Sequence, residues 1–359
     1  MLKKILIVTG GSGGHVIPAL SIFDHLKSSF ETSLVTDLRG SKFIDKNKYK
    51  FNLIDVPNIY SKKYLFPIYF VKFIHSIFKS YFFLKRKNIN FLISTGGYMS
   101  IPICIASKLL KIKIFLFEPN SVLGKSNKLI LSIAKNIICY DSKIKLYPNK
   151  YLNKIYSINP IFRKEIYSIE KNIKEEFETV KKILIIGGSQ GAEFFDKNIP
   201  DVVDKISKKI KIEVCQQISN LDKKSLIEKK YNDLKINYEL FSFDNNLYRK
   251  INKFDLVITR SGSSTIAELA YFNVPFIAIP FPFAKDNHQY FNAKFYENAS
   301  CNWLIEQHNF NINYLADLII NLFSEKTEYF EKKQNLQKIY NQNTWNNVNK
   351  KLLDLINEN

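Results

Sequence analysis

The chain has few cysteines and no long apolar run. Its 359 residues include four cysteines, Cys104, Cys139, Cys215 and Cys301, which stand far apart and form no C-x-x-C pair. This spacing argues against a disulfide framework or a zinc site and suits a reducing compartment. No run of about 18 uncharged apolar residues exists, so no membrane-spanning helix is predicted. The chain enters a predicted strand at its first residues, and we therefore expect no secretory signal.

Acidic residues are too few to balance the basic ones. The chain has 53 Lys and Arg against 33 Asp and Glu, which gives a formal net charge of +20. Such a surplus favours anionic partners, which include phosphorylated substrates, acidic lipids and nucleic acids. Because no arginine-rich arm and no RNA-binding signature accompany the charge, we expect a membrane surface or a phosphorylated substrate and no nucleic acid.

Glycine is also sparse, with 12 residues, yet it recurs in turns that end apolar runs. The phrase KKILIVTGGSGG at residues 3–14 is echoed by KKILIIGGSQGA at residues 181–192. Each copy is typical of a buried strand, a glycine-rich turn and the start of a helix. The repeat predicts two α/β domains that face each other across a cleft, with a phosphate-bearing ligand between them.

Predicted strands and helices alternate in both halves, as in doubly wound parallel sheets. The predicted strands cover residues 2–8, 33–36, 51–56, 91–94, 112–117, 183–186, 255–259 and 274–279. The periodicity breaks near residues 158–163. We therefore predict a Rossmann-like domain over residues 1–158 and a second one over residues 159–339. The final helix, at about residues 340–359, is expected to pack back on the first domain.

The first glycine loop, residues 10–14, lies between a predicted strand and a predicted helix. Its glycines let the backbone approach a phosphate, and the helix start supplies free N–H groups. No P-loop lysine follows, so NTP hydrolysis is disfavoured. His15, in the first helical turn, can act as a neutral general base or can simply form a local hydrogen bond. Ser12 is a candidate N-cap.

The strongest single signal is RSGSSTIAE at residues 260–268. Hydroxyl residues at a helix start suit a diphosphate. Glu268, one turn into the helix, can accept hydrogen bonds from both ribose hydroxyls, or it can serve in an ordinary capping arrangement. Gln289 lies beyond the next predicted strand and can reach the same pocket. No D-x-D pair follows a strand, which predicts leaving-group stabilisation by helix N-termini without a metal.

Jointly these motifs resemble the MurG family nearly end to end. Residues 10–15, GGSGGH, match its first glycine loop, G-G-T-G-G-H, and residues 96–100 and 187–192 match its second and third. Residues 260–262, Glu268 and Gln289 match its donor block. The resemblance implies a GT-B glycosyltransferase fold. It also implies inverting, metal-independent transfer of GlcNAc from UDP-GlcNAc to the 4-hydroxyl of the MurNAc sugar of lipid I, which gives lipid II for peptidoglycan.

The resemblance also implies roles for single residues. His15 would be the catalytic base, Ser189 would meet the diphosphate, and the backbone near Asp244 would read the uracil. The implied donor contacts are Ser12, Gly13, Gly14, Asn120, Arg163, Ser189, Asp244, Ser263, Ser264, Thr265, Ile266, Ala267, Glu268 and Gln289. The implied acceptor-side residues are Gly96, Gly97, Tyr98 and Glu118. No metal or other cofactor is implied.

The chain departs from the family pattern at two places on the acceptor side. It has Phe117-Glu118-Pro119-Asn120 where the family has His-Glu-Gln-Asn, and Ile101 where the family has Gly. Two alternatives stay open, and the departures bear on the first of them. One is a glycolipid synthase of the same fold that transfers a UDP-sugar to a diacylglycerol-type acceptor. The other is a binding protein that senses a nucleotide sugar without chemistry.

Residues 67–84 predict a basic, aromatic helix. Phe70, Phe73 and Ile77 recur at helical spacing and are predicted to face the core. A second apolar face, rimmed by lysines, consists of Tyr64, Ile68, Val71 and Ile74. Such a helix suits docking to an anionic leaflet. The resemblance accordingly implies a peripheral position on the cytoplasmic face of the bacterial inner membrane.

Overall fold

Two parallel sheets organise the computed structural model, which describes residues 2–56, 66–242, 244 and 246–358. The chain divides into one unit of Met1–Tyr167 with Asn343–Asn359 and a second unit of Ser168–Gln342. The sequence predicted the first boundary after residue 158. Residues 159–167 lie in the first unit because the Tyr167 ring packs edge-on against His25 and Trp345, which belong to that unit.

The first unit has a seven-stranded parallel sheet in the order β3-β2-β1-β4-β5-β6-β7. Its strands are β1 (Lys4–Val8), β2 (Glu31–Thr36), β3 (Phe51–Leu53), β4 (Phe91–Ser94), β5 (Lys113–Glu118), β6 (Asn136–Cys139) and β7 (Ile155–Ser157). The helices within this stretch of chain are α1 (Gly13–Leu26), α2 (Phe66–Lys87), α3 (Ser100–Leu109) and α4 (Lys125–Ile130). The two faces of β1 bury different residues, Ile5 and Ile7 on one side and Leu6 and Val8 on the other, as a doubly covered strand requires.

The second unit has a six-stranded parallel sheet in the order β10-β9-β8-β11-β12-β13. Its strands are β8 (Lys181–Ile186), β9 (Ile212–Gln217), β10 (Asn237–Phe241), β11 (Leu256–Thr259), β12 (Phe276–Ala278) and β13 (Trp303–Leu304). Its helices are α5 (Gly188–Ser207), α6 (Lys224–Asp233), α7 (Ser263–Tyr271), α8 (His288–Asn298), α9 (Ile312–Glu325) and α10 (Thr327–Ile339). Both sheets thus have the doubly wound topology that the repeat predicts.

The last helix, α11 (Trp345–Asn357), belongs to the first unit. Its apolar side chains Val348 and Leu352 lie in the same core as β1 and α1. At its start, Trp345 stacks on His25 with ring centroids 3.6 Å apart. Burial lowers the pKa of His25 to about 4, so this ring is neutral in the packed core.

Each sheet has one topological switch point. The first strand of each unit lies in the middle of its sheet, and later strands lie on both sides of it, so the order reverses between β1 and β4 and between β8 and β11. Ligands of open α/β sheets bind beyond the carboxyl ends of the strands at such points. The first and second glycine loops follow β1 and β4, and the third loop and residues 260–262 follow β8 and β11.

Candidate functional site

His15 connects the two glycine loops of the first unit. Its Nδ1 lies 2.8 Å from Thr95 O. Because a carbonyl oxygen only accepts, Nδ1 carries the proton, and in the neutral ring Nε2 is the nitrogen that can accept one. Gly96 and Gly97 have φ values of +90° and +84°, and a Cβ on Gly96 would lie 3.3 Å from His15 Cε1. The second glycine loop therefore packs closely against the imidazole ring.

Asp37 holds the first glycine loop in place. Its Oδ1 accepts from Gly11 N at 2.9 Å and from Gly40 N at 2.7 Å, and its Oδ2 pairs with Arg39. Burial opposes ionisation, but these N–H donors and Arg39 hold the pKa of Asp37 below its ordinary value. Sequence reasoning missed this residue. Its position directly after β2, at the same sheet edge as the glycine loops, was the available signal.

Glu118 orders the loop that follows β5. Its buried carboxylate accepts from Asn120 Nδ2 at 2.9 Å, from Gly124 N at 2.8 Å and from Asn127 Nδ2 at 3.0 Å. Asn127 also donates to Phe117 O at 3.0 Å. Glu118, which the sequence placed on the acceptor side, thus positions the backbone around Asn120.

Both departures from the family pattern lie in the core. Phe117 is buried and packs edge-on against Tyr140, with ring centroids 5.6 Å apart. Ile101 lies inside α3 with a buried side chain, and its backbone does not have a positive φ. Phe117 and Ile101 therefore contribute their side chains to packing, and Ile101 does not need the positive φ that a glycine could adopt.

The remaining predicted residues of the first unit lie at the start of α1, before α3 and after β7. Ser12 is the N-cap residue of α1, and its carbonyl oxygen, rather than its hydroxyl, accepts from His15 N at 3.1 Å. Gly13 and Gly14 begin α1. Tyr98 packs against Phe73 of α2 with ring centroids 5.9 Å apart. Arg163 is half-buried in the segment between β7 and the unit boundary.

In the second unit, the start of α7 projects from the switch point beside β8. Gly262 is its N-cap residue, and the hydroxyl residues Ser263, Ser264 and Thr265 form its first turn. Ile266 and Ala267 are buried beneath them, whereas Glu268 is half-buried. No acidic residue lies in the first turn, so Glu268 stands beyond the N3 position that a capping box requires.

Arg260 is a buried cation under this helix start. Its guanidinium donates to Ile279 O at 2.9 Å, to Pro280 O at 3.0 Å and to Gln307 Oε1 at 2.6 Å. It also lies over the ring of Phe195, 5.0 Å from the centroid. Desolvation lowers the pKa of Arg260 to about 10. The residue fixes the loop after β12 relative to α5 and β11.

Gln289 and Asn292 attach α8 to the loops that follow β11 and β12. Gln289 Oε1 accepts from Ser261 N at 3.2 Å and from Phe281 N at 2.9 Å. Asn292 Nδ2 donates to Ser261 O at 3.1 Å. The structure therefore brings Gln289 beside the start of α7, where its amide oxygen is already bound by two backbone N–H groups.

The third glycine loop lies beside Gln217, the last residue of β9. Gly188, the first residue of α5, has a φ of +65°, and its N–H donates to Gln217 Oε1 at 2.9 Å. Gln217 Nε2 donates in turn to Ser242 O at 3.0 Å, two residues before Asp244. The side chain of Ser189 lies outside the described part of the chain. Gln217 was missed from the sequence, although it stands at the carboxyl end of a strand, at the edge where ligands are expected.

The basic aromatic helix α2 has one buried and one exposed face. Ile68 and Val71 are 53% and 67% exposed, and Ile74, Phe78 and Phe82 are exposed as well. Tyr64 lies outside the described residues. The prediction that Phe70 faces the core is wrong, because this side chain is 47% exposed. The exposed face is rimmed by Lys72, Lys79, Lys85, Arg86 and Lys87.

Phe73 and Ile77 pack against the core of the first unit, as predicted, and two buried serines share that side of α2. Ser76 and Ser80 are buried, and their hydroxyls donate to Lys72 O at 2.9 Å and to Ser76 O at 2.7 Å. These serine hydroxyls form their hydrogen bonds within the helix, so the two residues can be buried at positions that apolar spacing alone would assign to the surface.

In the part of the chain that the structure describes, no three His, Cys, Asp or Glu side chains cluster so that they could hold a metal ion. Over the same residues, no helix combines the length and the apolar character needed to cross a bilayer.

Sequence comparisons match both units to one family. The model of the glycosyltransferase family 28 N-terminal domain matches residues 5–139, and that of its C-terminal domain matches residues 182–348. The UDP-N-acetylglucosamine--N-acetylmuramyl-(pentapeptide) pyrophosphoryl-undecaprenol N-acetylglucosamine transferase of Pelagibacter ubique is 44% identical over 359 residues, 100% of each chain. Its namesake in Rickettsia felis is 34% identical over 348 residues, 94% of this chain and 95% of the relative.

Structure comparisons agree on the fold. Acinetobacter baumannii MurG aligns with a TM-score of 0.77 and 21% identity over 99% of this chain and 100% of its own. A glycosyltransferase from Rickettsia africae aligns with a TM-score of 0.68 and 15% identity over 99% and 98%. At these identities the likeness establishes a GT-B fold built from two Rossmann-like domains.

Proposed function

The chain belongs to glycosyltransferase family 28 and, within it, to the MurG family, and from this membership we propose how its residues divide the reaction. The enzyme is a hexosyltransferase that moves GlcNAc from UDP-GlcNAc to lipid I and so forms lipid II of peptidoglycan. We assign the donor to the second unit, with its diphosphate at the start of α7 and its ribose at Glu268. We assign the acceptor hydroxyl to the first unit, beside His15.

The contact between His15 and Thr95 carries the catalytic part of the proposal. A glycosyl acceptor is a weak nucleophile until a base removes the hydroxyl proton in the transition state. The 2.8 Å contact between Nδ1 and Thr95 O orients the ring, and it leaves Nε2 as the nitrogen that can accept a proton. The 4-hydroxyl of the MurNAc sugar then attacks the anomeric carbon, its proton passes to Nε2, and UDP leaves with inversion.

The leaving diphosphate needs charge stabilisation, and the second unit offers it from backbone and hydroxyl groups. The starts of α5 and α7 lie side by side, since Arg260 N donates to Ile186 O at 3.1 Å. Two helix N-termini and the hydroxyls of Ser263, Ser264 and Thr265 can donate to the diphosphate oxygens. We therefore propose that donor binding and transfer require no divalent cation.

The test of the function is a transfer assay with the purified full-length protein, UDP-GlcNAc and lipid I. We expect UDP release with formation of the β-linked disaccharide product, and rates within about twofold with and without EDTA. Turnover of diacylglycerol in place of lipid I would favour the glycolipid synthase, and tight UDP-sugar binding without turnover of any acceptor would favour the sensor. A requirement for Mg²⁺ or Mn²⁺ would contradict the metal-free part of the proposal.

We further propose that α2 docks on the anionic inner surface of the bacterial membrane. Its exposed apolar face consists of Ile68, Val71, Ile74, Phe78 and Phe82. Burying one large apolar side chain contributes roughly 1.5–3 kcal/mol, and neighbouring basic residues add attraction to acidic headgroups. The bound lipid I is itself anchored in this leaflet, so the helix would keep the enzyme at its substrate.

Replacing Phe78 and Phe82 together by Glu is expected to weaken binding to vesicles of phosphatidylethanolamine with 30% phosphatidylglycerol by at least about 10-fold. Turnover of a water-soluble, short-chain lipid I analogue should stay near the wild-type rate. The matched control is the double change Ile173→Glu and Leu226→Glu, at two exposed apolar positions of the second unit. Equal loss of vesicle binding in the control would contradict a docking face on α2.

A further inference from the structure

The side chain of Gln217 joins two loops of the second unit. Only 7% of this residue is exposed, and both ends of its amide are used. Its Oε1 accepts from Gly188 N at 2.9 Å, and its Nε2 donates to Ser242 O at 3.0 Å. Gly188 begins the third glycine loop after β8, and Ser242 follows β10. The amide therefore reaches across the carboxyl edge from one flanking strand to the other.

The two partners fix the chemistry that this position needs. Gly188 presents an N–H and Ser242 presents a carbonyl oxygen, so the joining group must accept at one end and donate at the other. A glutamine amide does both, whereas a glutamate accepts only and a methionine of similar length does neither. The partners also set the orientation of the amide, with oxygen toward Gly188 and nitrogen toward Ser242.

We propose that Gln217 is a positioning residue for nucleotide selectivity, which sets the spacing between the diphosphate loop and the segment that reads the base. This inference rests on the proposed donor assignment together with the base contact that the family resemblance implies, in which the backbone near Asp244 reads uracil. Base and diphosphate are separated by one ribose, so a nucleotide is recognised well only when both loops keep one spacing. Uracil and cytosine differ at the ring edge that backbone groups contact, and a loosened Ser242 segment would discriminate them less.

Gln216 supplies a matched control on the same strand. Successive strand residues point to opposite faces, and the Gln216 amide lies on the other side of the sheet. There it accepts from the Tyr231 hydroxyl at 2.5 Å and donates to Asp196 Oδ1 at 3.4 Å. It is as buried as Gln217 and also uses both ends of its amide, but it contacts neither loop.

The experiment measures the dissociation constants of UDP and CDP for the full-length wild type, Gln217→Met, Gln217→Glu and Gln216→Met, together with their melting temperatures. We expect Gln217→Met to weaken UDP binding by about 10-fold and to lower the preference for UDP over CDP by a similar factor. Gln217→Glu, which keeps the acceptor for Gly188, should lower the preference as well and reports on the site if the methionine variant does not fold. Gln216→Met should keep the wild-type preference even where its melting temperature falls.

Two outcomes overturn the inference, and they can be told apart. If both Gln217 variants keep the wild-type ratio of UDP to CDP affinity, the residue has no role in selectivity and the donor assignment stands. If the wild type itself binds UDP and CDP equally, the uracil-reading segment is misassigned, and both the donor proposal and the role of Gln217 fail.

Discussion

Replacing His15 by alanine is expected to lower kcat by about 100- to 10,000-fold while UDP affinity stays within threefold of wild type. The change removes the nitrogen that accepts the proton of the attacking hydroxyl. It leaves the α7 start, Glu268 and the third glycine loop untouched, because His15 lies in the other unit. The measurement combines single-turnover transfer rates with calorimetric titration of UDP.

Two controls separate a chemical role from a structural one. His288 also lies at a helix start and its Nδ1 also contacts a carbonyl oxygen, Lys285 O at 2.8 Å, so His288→Ala removes a similar group and should leave kcat within a few-fold. Added imidazole should restore part of the activity of His15→Ala, because the variant leaves room for it beside Gly96 and Gly97, where the His15 ring packs in the wild type. A parallel loss of UDP affinity, or no rescue, would make His15 a structural residue.

Much of the fold follows from where apolar runs stop. Residues 91–94 were predicted as a strand and form β4 with the same bounds, since three apolar residues are followed by Ser94 and then by the second glycine loop. Short or half-polar strands gave weaker signals. The two-residue β13 and the mixed sequence of β10 carry no pattern of their own and depend on pairing with a neighbouring strand.

The residues that shape the loops were harder to find, because their partners come from distant parts of the sequence. Asp37 meets Gly11 across 26 residues, and Gln217 meets Gly188 across 29. Neither position belongs to a motif, and each acts through backbone groups that have no side-chain signature. Glu118 shows the reverse case. It stands in a recognisable motif, yet its carboxylate is occupied by the loop that it orders.

Replacing Glu268 by alanine is expected to weaken UDP binding by about 10- to 100-fold, because a hydrogen bond to a carboxylate contributes roughly 1.5–3 kcal/mol. Ser264 and Glu268 are four residues apart and share one face of α7, while Ile266 and Leu269 are buried on the other. A diphosphate at the helix start then places the ribose one turn along the same face. Titrations of UDP and 2′-deoxy-UDP, for wild type and variant, measure the effect.

The comparison of the two nucleotides tests the ribose contact itself. If the carboxylate binds the ribose hydroxyls, the wild type prefers UDP over 2′-deoxy-UDP, and Glu268→Ala reduces that preference. Glu297→Gln is the control, since Glu297 lies on α8 and pairs with Lys294. An unchanged preference would contradict the ribose contact. The helix dipole cannot account for a preference between the two nucleotides. Its influence falls off within the first turn, and Glu268 lies beyond that turn.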